Sequence, residues 1–312
     1  MKYYLGLDIG GTFVKGVCVT SDGKVLAEGK CDTGCEDGGA AMCDNIARLC
    51  EELKAQVNGE LAGVGAGCPG MIKSSEGVVK FAGNLGLKNF PLGEELSKRL
   101  GVPVKVTNDA NAAALGEALF GAGKNYKNSI LVTLGTGVGG GIIIDGKLFE
   151  GGESAGAEIG HMVIERYGEM CTCGRRGCFE RYSSASALTR RTKYAMEEDA
   201  GSAMWGKYTS ATCTGKTAFE FMDTDKSAAE VVDWYIRYLA CGLINLANIF
   251  RPEVIMLGGG VAAQGERLTK PLQAIMDREI FGGNDYAPVT VVTASLGNGA
   301  GAIGAAALCF NK

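Results

Sequence analysis

Tyr3 to Leu26 reads Y-Y-L-G-L-D-I-G-G-T-F-V-K-G-V-C-V-T-S-D-G-K-V-L. Leu5, Leu7 and Ile9 alternate, which is the period of a strand with one buried face. Gly10-Gly11-Thr12 then turns the chain. Val14 to Thr20 forms a second strand, and Asp22-Gly23 turns it into a third. The result is a β-meander with an acid, Asp8, near its first turn. Such a turn is either an ordinary hairpin or a phosphate cradle. In the second case the backbone N–H groups of the glycine turn point at anionic oxygens, and Thr12 and Lys15 add donors. Asp8 then stands by the metal–nucleotide without touching phosphate directly.

The pattern returns at Ser129–Phe149, S-I-L-V-T-L-G-T-G-V-G-G-G-I-I-I-D-G-K-L-F. An apolar strand ends at Thr133-Leu134, Gly135-Thr136-Gly137 turns it, a second strand follows, and Asp145-Gly146 turns that into a third. The match of Asp22-Gly23-Lys24 with Asp145-Gly146-Lys147 points to a duplicated domain whose two glycine hairpins grip one polyphosphate. Two decoys fall away. Gly135, Gly137 and Gly140 satisfy G-x-G-x-x-G, but that fingerprint needs a helix after the turn, and Ile142-Ile143-Ile144 continues as a strand. Gly123-Lys124 resembles the end of a Walker A loop, with Ala118 in place of its first glycine and Asn125 in place of Ser/Thr.

Strands alternate with helices through the rest of the chain, which indicates an α/β fold. Gly39 to Asn58 is an amphipathic helix with Ile46, Leu49, Leu53 and Val57 on one face. Leu61 to Gly67 is a strand running into Gly67-Cys68-Pro69-Gly70. Val78 to Phe81 is followed by Asn84, and Leu92 to Leu100 is helical. Val102 to Thr107 is a strand ending at Asn108-Asp109-Ala110-Asn111, with a helix over Ala112–Phe120. Ligands of such sheets lie beyond the carboxyl ends of strands, where Gly70, Asn84, Asn108 and Asp109 sit. Asp109 is either the N-cap of its helix or a general base that takes the proton of an attacking hydroxyl. Further on, Ser183–Met196 and Ala228–Phe250 are helices, while Glu197 to Thr217 receives no assignment. Val254–Leu257 is a buried strand leading to Gly258-Gly259-Gly260, either a tight turn or the place of a nucleoside. Val289–Ala294 is a strand, and Gly299–Leu308 is a Gly/Ala helix.

Between these parts lies G-A-E-I-G-H at Gly156–His161, then C-T-C-G-R-R-G-C-F-E at Cys171–Glu180. His161 is the only histidine. With Cys171, Cys173 and Cys178 it offers three thiolates and an imidazole, the closed N/S shell of a structural Zn²⁺. Gly174 and Gly177 allow a tight loop around the ion. Glu158 and Glu180 bracket the cluster. They are either solvated acids or groups that the metal loop carries into a polyol pocket.

The composition bounds the whole. At 312 residues, two domains are expected. A net charge of −4 with no Lys/Arg run argues against a nucleic-acid partner. The strand beginning at Tyr3 leaves no room for a signal peptide, and no run of eighteen apolar residues offers a membrane span. A cytoplasmic, reduced protein is expected, with most of its 12 cysteines acting as small core residues.

D-I-G-G-T at Asp8–Thr12, G-C-P-G at Gly67–Gly70, N-D-A-N at Asn108–Asn111, L-G-T-G-V-G-G-G at Leu134–Gly141, G-A-E-I-G-H and the cysteine motif together resemble the ROK family of repressors, open-reading-frame proteins and sugar kinases. The resemblance runs from end to end and in order, and is nearest to the family's bacterial glucokinases. It implies an α/β, actin-like ATPase (ribonuclease H-like) fold of two similar α/β domains with a ligand cleft between them. Residues 1–119 with 298–312 would form one domain and 120–297 the other, with the zinc loop.

The resemblance implies ATP with Mg²⁺ at Asp8, Gly10, Gly11, Thr12, Lys15, Thr133, Gly135, Thr136, Gly137, Gly258 and Gly259, and Asp109 as the base. It places the sugar hydroxyls against Gly70, Asn84, Asn108, Asp109, Glu158, His161 and Glu180, with His161 both holding zinc and facing the sugar. The implied activity is phosphorylation of a hexose, glucose first, with glycolysis as its setting and a homo-oligomer (dimer or tetramer) as its form. Asn84-Leu85 lacks the tryptophan often found just downstream in the family, so N-acetylmannosamine, N-acetylglucosamine, allose and fructose stay open as substrates. A sugar sensor without catalysis, or a ROK regulator, is the competing class. Asp8 stands so near the start that no winged helix is expected before it.

Overall fold

The computed structural model describes residues 1–310. The chain begins with the three-stranded meander β1 (Lys2–Ile9), β2 (Phe13–Val19) and β3 (Val25–Asp32). Helix α1 (Gly39–Ala55) and strand β4 (Glu60–Cys68) follow. A small antiparallel sheet comes next, made of β5 (Met71–Lys73), β6 (Val78–Ala82) and β7 (Leu87–Phe90). Helix α2 (Leu92–Leu100), strand β8 (Val104–Asn108) and helix α3 (Asp109–Phe120) complete this part. The second meander is β9 (Ser129–Leu134), β10 (Val138–Ile144) and β11 (Lys147–Phe149). Then come α4 (Glu180–Ser183), α5 (Ala185–Glu198), α6 (Gly215–Phe221), α7 (Lys226–Phe250), β12 (Val254–Gly258), α8 (Glu266–Glu279), β13 (Thr290–Thr293) and α9 (Ala300–Ala307).

The two large sheets have one topology. The first runs β3-β2-β1-β4-β8 and the second β11-β10-β9-β12-β13. In each, a meander supplies three strands and a later strand joins its first one, parallel to it in the first sheet. The glycine hairpins therefore head two copies of one plan. The chain divides into two compact units, one of Met1–Leu131, Gly141–Ala157 and the tail from Ser295, the other of Val132–Gly140 and Glu158–Ala294.

In the first unit, strand periodicity decides which side chain meets which layer. Tyr3, Leu5, Leu7 and Ile9 face Met42, Ile46, Leu49 and Leu53 of α1 in a single buried cluster. Each such side chain contributes about 1.5–3 kcal/mol when fully buried. Gly6 and Asp8 alternate with these residues and belong to the opposite face, where α9 lies. A Cβ on Gly6 would stand 2.7 Å from the Ala306 amide, so only glycine admits the helix this close. Register then aligns the strand ends. Asp8 pairs with Gly67 of β4, and Cys68 pairs with Asn108 of β8.

In the second unit, the segment 197–217 that carries no readable periodicity is ordered by α7. Asp225 caps that helix by accepting from the Ala228 amide at 2.8 Å. It also accepts from the Ser202 hydroxyl at 2.8 Å and the Ala203 amide at 2.6 Å. Met204 is fully buried beneath this network. Helix α7 stops at Arg251, which adopts a left-handed φ of 42° and ties its guanidinium to the carbonyls of Phe281, Gly283 and Ala287.

Candidate functional site

Within the first unit, the carboxyl ends of β1, β4 and β8 gather most of the polar residues singled out by sequence. Asn108 is the N-cap of α3: its Oδ1 accepts from the Ala110 amide at 2.9 Å and the Asn111 amide at 3.3 Å. The cap is thus Asn108 and not its neighbour. Asp109 occupies the first helical position, where its Oδ1 shares the Ala110 amide at 2.9 Å. Asn108 also donates from Nδ2 to the Gly70 carbonyl at 3.1 Å. Gly70 itself needs its positive φ of 99° to turn the chain there. Burial raises the Asp109 carboxyl above the ordinary range, against the opposing pull of the Ala110 amide. Burial also raises Asp8, the negative charge of Asp109 raises it further, and Lys15 draws it back. Gly301 at the start of α9 packs on the Asp8 carboxylate, and a Cβ there would stand 2.8 Å from Cγ.

The first glycine turn is clamped from behind. The Gly10 carbonyl accepts from the Thr33 hydroxyl at 2.7 Å, and the Thr12 carbonyl accepts from the Thr33 amide at 2.9 Å. The Gly11 carbonyl lies 3.5 Å from Cys35 Sγ, which is also 3.9 Å from the Asn84 carbonyl. Lys15 Nζ reaches the Asn298 carbonyl at 3.5 Å.

Within the second unit, the Gly135 amide closes the second turn onto the Gly137 carbonyl at 3.0 Å, and the Gly135 carbonyl accepts from the Ala185 amide at 2.8 Å. Thr133 Oγ1 accepts from the Gly139 amide at 3.2 Å. Glu180 turns back onto this turn and accepts from the Val138 amide at 3.0 Å. The third glycine loop joins them, because Gly259, at φ 83°, lies against the Leu134 backbone, where a Cβ would come within 2.8 Å of its amide. Beside Thr136 opens a cavity of about 560 Å³ lined by Ser186, Thr189, Arg190, Lys193 and Tyr194 of α5.

The same unit holds the sulfur cluster. His161, Cys171, Cys173 and Cys178 bring their ligand atoms within 4.8 Å of one another. Cys173 Sγ lies 3.6 Å from Cys178 Sγ, and Cys171 Sγ lies 3.7 Å from His161 Nδ1. A tetrahedron with zinc–sulfur bonds of about 2.3 Å spaces its corners by about 3.8 Å. The donor set and its spacing therefore fit zinc. Gly174 and Gly177 take φ of 88° and 74° as the loop closes. Phe179, fully buried, follows Cys178 and leads into α4, which begins at Glu180.

The ROK family profile matches residues 4–312. The chain belongs to the ROK family. It is 37% identical to a glucokinase of Halalkalibacterium halodurans, over 97% of this chain and 93% of that one. A solved ROK family glucokinase from Streptomyces griseus, in complex with glucose and AMPPNP, is 34% identical and superposes with a TM-score of 0.83 over 98% of both chains. A ROK family transcriptional regulator, a homologue of the E. coli MLC protein, is 27% identical with a TM-score of 0.87, over 99% of this chain and 77% of that one. The fold of this ROK chain is accordingly the actin-like, ribonuclease H-like α/β fold.

Sequence reading of this ROK protein missed three contributors. Thr33 lies at the end of β3, and only its buried hydroxyl marks it. The polar face of α5 reads as an ordinary solvated helix. Glu150 accepts from the Ser74 and Thr107 hydroxyls, each at 2.6 Å, which ties the strand before Asn108 to the chain leading to Glu158. No local motif signals any of the three. No helix of the described residues is long and apolar enough to cross a membrane.

Proposed function

We propose that this chain is an ATP-dependent hexose kinase that converts glucose to glucose 6-phosphate in the cytoplasm, at the entrance to glycolysis. One observation carries the reading: a half-buried carboxylate, Asp109, stands just past the end of β8 with its proton affinity raised and a separate residue capping its helix. A group so placed can accept a proton from a sugar hydroxyl at neutral pH and release it afterwards. The hydroxyl oxygen bonds to the γ-phosphorus as the bond to ADP breaks, and the hydroxyl proton passes to Asp109. Phosphoryl transfer otherwise requires position and charge neutralisation. The similarity to the Streptomyces griseus enzyme holding glucose and AMPPNP supports both substrates.

We assign the sugar hydroxyls to Gly70, Asn84, Asn108, Asp109, Glu158, His161 and Glu180. The phosphates go to the turns at Gly10–Thr12 and Gly135–Gly137, with Lys15 and Thr133 in support. The nucleoside goes to Gly258–Gly259 and the neighbouring cavity on α5. Magnesium, when bound, neutralises charge on the transferring group, and Asp8, a carboxylate beside the first turn, is the hard oxygen donor that fits it. His161, Cys171, Cys173 and Cys178 hold a structural zinc with no open position.

Measurement of ADP release over a panel of hexoses and amino sugars tests the reading. Glucose is expected to give the highest kcat/KM. A preference for N-acetylmannosamine, N-acetylglucosamine, allose or fructose would change the substrate and keep the chemistry. A protein that phosphorylates none of them would overturn the kinase.

A further inference from the structure

Thr33 meets the first glycine turn only through that turn's backbone, and that is where its effect lies. Its side chain is fully buried. Its amide and hydroxyl donate to the carbonyls on either side of Gly11, those of Thr12 and Gly10. Gly34 follows with a left-handed φ of 63°, which turns the chain so that Cys35 Sγ reaches the Gly11 carbonyl between them. Asn45 of α1 anchors this stretch by donating to the Asp32 carbonyl at 3.3 Å. Three successive carbonyls are thus held on one side.

A peptide plane is rigid, so fixing a carbonyl on one side aims the attached N–H to the other. The Gly10 amide is occupied by the Phe13 carbonyl at 2.9 Å. The Gly11 and Thr12 amides donate to no backbone acceptor among the described residues, and both residues are exposed. Adjacent outward amides form the concavity in which an anion is bound.

We infer that Thr33 is the positioning residue of this anion cradle: its hydrogen bonds hold the turn with the Gly11 and Thr12 amides aimed at a polyphosphate oxygen. The inference rests on the kinase reading and adds to it a residue that no ligand touches. The second turn repeats the arrangement by other means, since the Ala185 amide holds the Gly135 carbonyl.

The test compares Thr33→Val, which keeps shape and removes the hydroxyl, with Thr33→Ser, which restores it. ATP and glucose affinities are titrated separately, and zinc content and Tm are recorded. Thr33→Val is expected to bind ATP about tenfold more weakly, about 1.4 kcal/mol, with glucose affinity and zinc unchanged. Thr33→Ser should return ATP affinity to within about twofold of wild type. Undiminished ATP affinity in Thr33→Val would overturn the inference. So would an equal loss of both ligands, or no rescue by serine, since either would mark a merely structural role. If Thr33→Val does not fold, Thr33→Cys replaces it, because a thiol is a weak donor at the same place. A loss of about threefold is then expected, and wild-type affinity overturns the inference. A wild-type protein that binds no ATP would remove the kinase reading as well, whereas wild-type binding unchanged in the variant removes this inference alone.

Discussion

Sequence alone leaves Asp109 as either a helix cap or a general base, and the structure gives the cap to Asn108. Because Asn108 holds the cap, Asp109→Asn removes the proton acceptor without removing the helix start. Turnover is expected to fall by about two orders of magnitude or more. Stability should move the other way. A carboxyl whose pKa is raised on folding holds its proton more tightly in the native state, so stability declines as pH rises from its unfolded pKa through its folded one. Burial raises both Asp109 and Asp8, and the charge of Asp109 raises Asp8 further, so ionising either carboxyl costs the fold. Asp109→Asn should therefore be at least as stable as wild type at pH 7, with the difference vanishing below the carboxylate range. Thermal melts at pH 3.5 and 7, beside turnover at pH 7, decide the matter. A variant that loses stability at pH 7 while keeping its turnover would return Asp109 to the role of a cap.

The two glycine hairpins share a plan but differ in what stands beside them, and the same substitution should reveal it. Around Gly11 there is room: an added Cβ would make only ordinary contacts, with Asn84 Nδ2 at 3.7 Å and the Asn84 carbonyl at 3.9 Å. Gly11→Val is expected to weaken ATP through branched bulk in the anion cradle, and to disturb glucose little. Around Gly137 an added side chain would press on the Glu180 carboxylate, which accepts from the neighbouring Val138 amide. Gly137→Val should therefore weaken both ligands. Separate calorimetric titrations check this, and a Gly137→Val protein with intact glucose affinity would exclude Glu180 from the sugar site.

The cysteine loop acts through its length. Cys178 is two residues from Glu180, and buried Phe179 sits between them. Cys173→Ser is expected to lose the metal, as a structural site short of one thiolate forfeits much of its binding energy, and to weaken glucose while sparing ATP. Metal analysis of protein purified without added zinc is the readout. A metal-free wild-type sample with full glucose affinity would dismiss the zinc.

Two sheets of one strand order, β3-β2-β1-β4-β8 and β11-β10-β9-β12-β13, place equivalent glycine turns at equivalent strand ends. The chain leaves the first unit and returns to it, and one buried side chain secures the return. Glu117 near the end of α3 accepts from the Ala122 amide at 2.9 Å, the Ser295 amide at 3.0 Å and the Leu296 amide at 2.7 Å. The returning segment leads into α9, which lies over Gly6 and Asp8. Glu117→Ala would take the acceptor from three amides, those of half-buried Ala122 and Leu296 and of exposed Ser295. A buried amide left unsatisfied costs about 1–3 kcal/mol, and the half-buried pair carries most of the effect, so a loss of about 2 kcal/mol is expected in denaturant unfolding. A loss below 1 kcal/mol would show that water replaces the carboxyl.

Strand alternation, glycine and aspartate–glycine turns, the repeated meander and the His/Cys spacing were all legible in the chain, because each depends on residues a few positions apart. Periodicity of side chains and backbone freedom at a turn are local properties, and they sufficed for the α/β class and for the family resemblance. Helix and strand ends were read less well: α3 begins at Asp109 and not at Ala112, since a cap is a choice between adjacent polar residues that packing makes. Tertiary structure alone decided that Thr33 grips Gly10 from 23 residues away, that Glu180 returns to Val138 across 42, and that Glu117 receives Ser295 across 178. A hydrogen bond reaches about 3 Å, and which distant donor comes within that reach depends on how every layer between them packs. Burial then fixes what each bond is worth, and no local pattern carries it.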